Sequence, residues 1–304
     1  MVQVTQPFVH RCLPIRDRNG HKGTFGKVHI LAGSVGFTGA PALASEAAVR
    51  TGSGLVSLSV PQEIWPVLAV KCQEAMPSPV PPYPELLEKM NQSDSVLIGP
   101  GLGRSRATDV RTCHLVAQVT APLVLDADGI NAVAEHIDVL DTRRSRLTVV
   151  TPHDGEFLRL RQGEAIGPDR EAAALAFAQQ HGCVLVLKGH RTITAFPDGD
   201  TFLNTTGNPG MAKGGSGDVL AGMILSLLGQ GIPPKQAVPA GGLAPWRSGG
   251  SGRKGLWGVW HDPLGPVAED PRQPFSRPWT VRGKNRVRTA LPLRRQTLCI
   301  PLIP

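Results

Sequence analysis

Cysteine is scarce in this 304-residue sequence. Cys12, Cys72, Cys113, Cys183 and Cys299 stand apart, without the pairing or short spacings of a disulfide framework or a metal cluster. No apolar run approaches the roughly 20 residues that a membrane-spanning helix requires. No charged-then-apolar leader opens the sequence and no internal repeat divides it. These absences argue against a secreted disulfide scaffold, an integral membrane protein and a repeat array. The expectation is a soluble protein of the reducing cytoplasm, with no membrane partner.

Acidic residues are missing from one region only. Residues 239–304 hold eleven Arg and Lys against Asp262, Glu269 and Asp270, which is the whole of the net charge of +8. Residues 1–238 are balanced, with 21 bases against 21 acids, so no nucleic-acid surface is expected on them. The same C-terminal stretch carries ten of the 28 prolines and four of the five tryptophans. The composition predicts a single catalytic domain over residues 1–238 and an atypical Pro/Arg/Gly-rich tail over 239–304.

Within the balanced part, β-branched apolar runs alternate with helix-like ones. "KVHILAG", "LVSLSV", "SVLIGP", "PLVLDAD", "LTVVTP" and "CVLVLKG" read as strands, and "APALASEAAVRTG" as a helix closing near Gly52. The pattern predicts an α/β fold with a mostly parallel central sheet and helices on both faces. Ligands of such sheets sit beyond the carboxyl ends of the strands. GPGLG, DADGIN, TPHDGE and KGHRT should therefore line one crevice.

The stretch "NTTGNPGMAKGGSGDVLAGMILSLLGQG", residues 204–231, packs eight glycines ahead of and into an apolar helix. Gly214, Gly215, Ser216 and Gly217 precede that helix as a ready anion cradle, where bare backbone lets a phosphate approach the N–H groups. Asp218 in the first turn would be repelled by phosphate, yet it is well placed to take a proton from a hydroxyl attacking one. An Asp at a helix start also serves as a plain cap, and that alternative stays open.

Taken in order, "HKGTFGKVHILAGSVGFTGAPALASEAAVRTGSGLVSL", "VLIGPGLG", "PLVLDADGIN", "TPHDGEFLRL", "VLVLKGHRTI" and "GNPGMAKGGSGDVLAG" resemble the NAD(P)H-hydrate dehydratases of the ribokinase-like superfamily. The resemblance covers roughly residues 10–238. It implies an enzyme that repairs the S form of hydrated NADH or NADPH with ADP or ATP and Mg²⁺, releasing AMP or ADP, phosphate and the restored dinucleotide. It also implies a functional link to an epimerase, which this sequence lacks, and it is compatible with a homo-oligomer. The rivals are a small-molecule kinase that stops at the phosphorylated product and a catalytically silent homologue.

By motif, the resemblance implies that Asp218 is the catalytic base and also contacts substrate. Ala40 of "GFTGA", Gly103 of "GPGLG" and His153 of "TPHDGE" are implied substrate contacts. Nucleotide contacts are implied for Lys188, Gly189, His190, Arg191 and Thr192, together with Gly214, Gly215, Ser216 and Gly217. Glu156 is the implied outer partner of hydrated Mg²⁺, with Asp126 and Asp128 as helpers or turn caps. Two departures stand out: Asp154 where the family usually has proline, and Lys213 where small or hydroxyl residues are commoner.

The tail can be read as a frameshift. With permitted codons, stepping Gly242 to Ser248 forward one nucleotide gives Ala-Trp-His-Arg-Gly-Gly. Treating Trp260 to Val267 likewise gives Gly-Met-Thr-Pro-Ser-Asp-Leu, which resembles the family's close. On this reading the domain is C-terminally incomplete, the tail is disordered, the apolar face of "VLAGMILSLLG" is under-covered, and activity is weak or absent.

Overall fold

A computed structural model describes residues 1–13 and 16–248, and side chains as far as residue 242. The chain runs β1 (Val2–Val4), α1 (Gln6–Cys12), β2 (Lys27–Leu31), α2 (Gly39–Arg50), β3 (Leu55–Val60), α3 (Trp65–Lys71) and β4 (Met76–Pro79). It continues through α4 (Tyr83–Asn91), β5 (Ser95–Ile98), α5 (Arg106–Gln118), β6 (Leu123–Leu125), α6 (Asp128–Ala134), α7 (Asp138–Asp141), β7 (Thr148–Val150), α8 (Asp154–Leu160) and α9 (Arg170–His181). The last elements are β8 (Val184–Leu187), β9 (Thr192–Ala195), β10 (Thr201–Asn204), α10 (Ser216–Gly229) and α11 (Pro234–Ser248).

All six strands read from the sequence are present, in one sheet ordered β1-β10-β9-β8-β7-β6-β5-β2-β3-β4. Pairings from β8 through β4 along that order are parallel, whereas β8 with β9 and β9 with β10 are antiparallel. Successive side chains of a strand face opposite ways, and β5, β6, β7 and β8 carry apolar side chains on both faces. Leu97, Val124, Val149 and Val186 thus join a core with α2, α3, α10 and α11. Their neighbours Ile98, Leu125, Val150 and Leu187 join a second core with α4, α5, α6, α8 and α9. This is the two-faced burial of a parallel sheet.

Helix α10 is the central helix of the first core. A Cβ at Gly222 would lie 2.2 Å from the Ala44 carbonyl oxygen, so glycine is what lets α10 lie directly against α2. The boundary expected at residue 238 falls inside α11. Ala237, Val238 and Ala240 are buried, and a Cβ at Gly241 would meet Ile224 at 2.7 Å. The expected exposure of "VLAGMILSLLG" is therefore corrected: its apolar residues, Leu220 through Leu228, are buried, with α11 against them. The sequence missed this cover because Pro239, Gly241 and Gly242 read as a break, whereas Ala237, Val238 and Ala240 pack one helical face. The disordered tail was expected from residue 239: residues 239–248 instead belong to α11, and the rest of that expectation, with the frameshift, falls on residues 249–304, outside the described residues.

Candidate active site

The carboxyl ends of β5, β6, β7 and β8 deliver the polar residues of the crevice. β6 leads into Asp126, β7 into Thr151 and His153, and β8 into Lys188. Lys188 Nζ donates to Asp126 Oδ1 at 2.7 Å and lies 3.6 Å from Glu156 Oε2. Thr151 Oγ1 donates to the same Asp126 oxygen at 2.7 Å. A Cβ at Gly217 would lie 3.4 Å from Lys188 Nζ and 3.8 Å from Asp126 Oδ2. The pair therefore lies directly against the first turn of α10, one residue from Asp218.

That first turn has no side-chain cap. Its N-cap, Gly215, has φ of 96°, a left-handed conformation that glycine adopts without strain, and no side chain bonds the free N–H groups of the turn. A Cβ on Gly214 would meet nothing within 4 Å, so the cradle opens into free space. Ser216 Oγ is spent on the Met211 carbonyl at 2.8 Å. The unbonded N–H groups and the positive end of the helix dipole together make an anion site.

Asp218 is pushed up to about 6, by burial first and then by the charge of Asp126, with Lys188 opposing. Burial alone would lower the Lys188 ammonium, but Asp126, Glu156 and Asp218 together raise it above the usual lysine range. The site thus combines a fixed cation with a carboxylate that gains and loses its proton near neutrality. Such pairs of separated proton affinities mark acid–base chemistry.

The remaining expected residues are placed as follows. His153 caps α8: its Nδ1 accepts from the N–H groups of Gly155 at 3.0 Å and Glu156 at 3.3 Å. Glu156 Oε2 returns the bond by accepting from the His153 N–H at 2.8 Å. The other ring nitrogen, Nε2, lies 3.5 Å from Glu156 Oε1, and the rest of the ring is exposed. Asp154 is paired with Arg170 at 2.7 Å, and Arg170 also donates to the Lys188 carbonyl at 3.2 Å, so the departure from proline is built into the loop beside the lysine. Gly103 has φ of 72° and donates its N–H to Asp128 Oδ2 at 2.9 Å. Ala40, in the first turn of α2, faces Gly101 of the same GPGLG turn. Gly189, His190 and Arg191 lie exposed beyond β8, whereas Thr192 is buried at the start of β9, its hydroxyl donating to the Gly189 carbonyl at 3.2 Å. Lys213 is exposed just before the cradle.

Asp126 and Thr151 are the residues that the sequence did not single out as a unit with Lys188. Nothing in the spacing announces a bond across 62 positions; only the "DAD" at a strand end hints at it. Ala127, between the two acids, holds φ of 49° and ψ of −117°, a strained conformation for a residue with a side chain. Strain of this kind typically costs ~1–3 kcal/mol and gathers at functional sites.

A mostly parallel two-faced sheet with a glycine-led central helix at the carboxyl ends of its strands is the ribokinase-like α/β fold. A ribokinase-like superfamily protein from Enterococcus faecalis superposes with a TM-score of 0.72 at 28% identity, over 81% of this chain and 86% of its own. The chain belongs to the NAD(P)H-hydrate dehydratase family, which matches residues 28–251. It is 44% identical over 241 residues to the bifunctional NAD(P)H-hydrate repair enzyme Nnr of Moorella thermoacetica, covering 75% of this chain and 45% of that protein. The chain thus spans about half the length of this bifunctional relative. The ADP/ATP-dependent NAD(P)H-hydrate dehydratase of Bacillus subtilis, co-crystallised with ATP/Mg²⁺, is 32% identical with a TM-score of 0.66, over 80% of this chain and 86% of its own.

Proposed function

We propose that this chain dehydrates the S form of NADH or NADPH hydrate at the expense of ADP or ATP, restoring the dinucleotide. The observation that carries the reading is Asp218, pushed up to about 6 beside an uncapped helix start and the half-buried Lys188 ammonium. A ring hydroxyl leaves poorly as hydroxide. Asp218 takes its proton while the oxygen attacks the terminal phosphoryl group, and the bond from phosphorus to the nucleotide oxygen breaks. The ring nitrogen's electron pair then expels phosphate as the C–O bond breaks, and loss of a proton from the neighbouring carbon completes the elimination. The N–H groups of Gly214 through Gly217 hold the transferring phosphoryl, and preorganised donors of this kind contribute ~2.7–4 kcal/mol each. Lys188 supplies a positive charge beside them.

Among the described residues no group of three or more metal-ligating side chains could hold a cation by itself. Glu156 and Asp126 instead suit a Mg²⁺ that arrives on phosphate oxygens and keeps its waters. Such an ion supplies charge neutralisation, and Glu156 is proposed as its outer-sphere partner. Ala40, Gly103 and the exposed edge of His153 are proposed to border the dinucleotide, and Gly189 through Thr192 to border the nucleotide. The bifunctional naming of the Moorella relative, only part of which this chain matches, supports a functional link to an epimerase that supplies the S form. A cytoplasmic setting suits all these metabolites, and no described helix is long and apolar enough to cross a membrane.

Product analysis tests the reading against kinase action. With ADP, one AMP and one phosphate should appear for each dinucleotide restored. A stable phosphorylated hydrate, with no free phosphate, would make the chain a kinase instead.

A further inference from the structure

A second cleft, of about 530 Å³, lies outside the crevice, where the outer face of α5 meets the start of α4. Tyr83, Arg106, Ala107, Val110, Arg111 and His114 line it. On a helix, positions 106, 107, 110, 111 and 114 fall on one face. Among the described residues neither Arg106 nor Arg111 makes an ion pair or hydrogen bond, and neither is among the residues with further contacts. The Tyr83 hydroxyl and Arg111 Nε are buried without a hydrogen-bond partner. Buried polar groups are ordinarily satisfied, and leaving one unmade costs ~1–3 kcal/mol. Burial also raises the Tyr83 phenol, so it stays a neutral donor.

We propose that this cleft binds the phosphate-bearing end of a nucleotide. Two unpaired guanidiniums suit a phosphomonoester, since each offers a planar fork of donors to its oxygens. Tyr83, Ala107 and Val110 add an apolar surface that inorganic phosphate would leave unused. Only Arg104 and Ser105 separate Arg106 from Gly103 of the crevice rim. The shared chemistry has two sources: the far phosphate of the dinucleotide substrate, an assignment that rests on the function proposed above, or a free nucleotide.

Adenosine 2′,5′-bisphosphate, titrated calorimetrically into the full chain, is the probe. Arg106→Glu with Arg111→Ala should remove one binding event per chain, or weaken it at least tenfold, in both the wild-type and the Gly217→Val backgrounds. Arg106→Glu alone should do so in part, and it keeps folding out of question because an acid suits the first turn of a helix. Unchanged stoichiometry and affinity in these variants overturn the proposal. If the arginine changes also raise KM about tenfold for NADPH hydrate more than for NADH hydrate, with kcat retained, the source is the substrate. If both KM values hold while the calorimetric site is lost, the source is a free nucleotide. Absent turnover by the unsubstituted chain, with the calorimetric site lost in the variants, would refute the dehydratase reading and leave the cleft assignment standing.

Discussion

Asp218→Asn should cut the rate of hydrate dehydration by ~10²–10⁴ while making the folded chain more stable at pH 8. The rate loss follows from removing the carboxylate that the first turn of α10 sets beside the cradle. The stability gain follows from the cost of holding that carboxylate. Its value is raised from an ordinary 3.8 to about 6, by burial and then by Asp126. Between those two values the folded chain binds more protons than the unfolded one, so stability falls as pH rises through that window. The penalty is absent below about pH 4 and full above about pH 6. A shift of this size corresponds to ~1–3 kcal/mol, so the variant's Tm should exceed wild type by several degrees at pH 8 and match it near pH 4. A helix-capping Asp gives the opposite sign, because losing a cap destabilises by ~1 kcal/mol. The same ionisation predicts that wild-type turnover falls as pH drops through about 6. Thermal melts at two pH values, with a pH–rate profile, check both halves.

Gly217→Val should weaken ADP or ATP binding ~10–100-fold, the loss of one charge-assisted bond at ~1.5–3 kcal/mol. A Cβ there meets Lys188 Nζ at 3.4 Å and Asp126 Oδ2 at 3.8 Å, which are ordinary contacts. The two γ-carbons of valine reach further, into the ion pair and the space a phosphate would fill. Gly217→Ala is the internal control. It adds only the tolerated Cβ and, as alanine for glycine within a helix, should raise stability by roughly 0.5–1 kcal/mol. Nucleotide titration of both variants checks this, and full affinity in the valine variant would remove the cradle from the first turn of α10.

The strands that the sequence announced most clearly are those with continuous apolar runs, such as "VLVL" and "LVL". The four it concealed lie toward the ends of the sheet. β4 reads "MPSP", and it is tolerated at the edge because the missing proline N–H groups need no second partner. β9 and β10 form a short antiparallel extension whose alternating Thr residues resemble a loop. The glycine-led start of α10 was legible because glycine before an apolar helix is a local signal. The bond from Lys188 to Asp126 was not, because the fold brings them together from β8 and β6, with β7 between. His153 and Glu156 were legible as a motif, yet the structure gives them a reciprocal capping role as well.

The most direct test is the absorbance of the dihydronicotinamide when the full chain meets the S form of NADH hydrate and Mg²⁺. With ADP or ATP added, the absorbance should climb; without nucleotide it should stay flat, because phosphorylation must precede elimination. Recovery of the dinucleotide without any nucleotide would contradict the mechanism, as would a flat trace when nucleotide is present and shown by titration to bind.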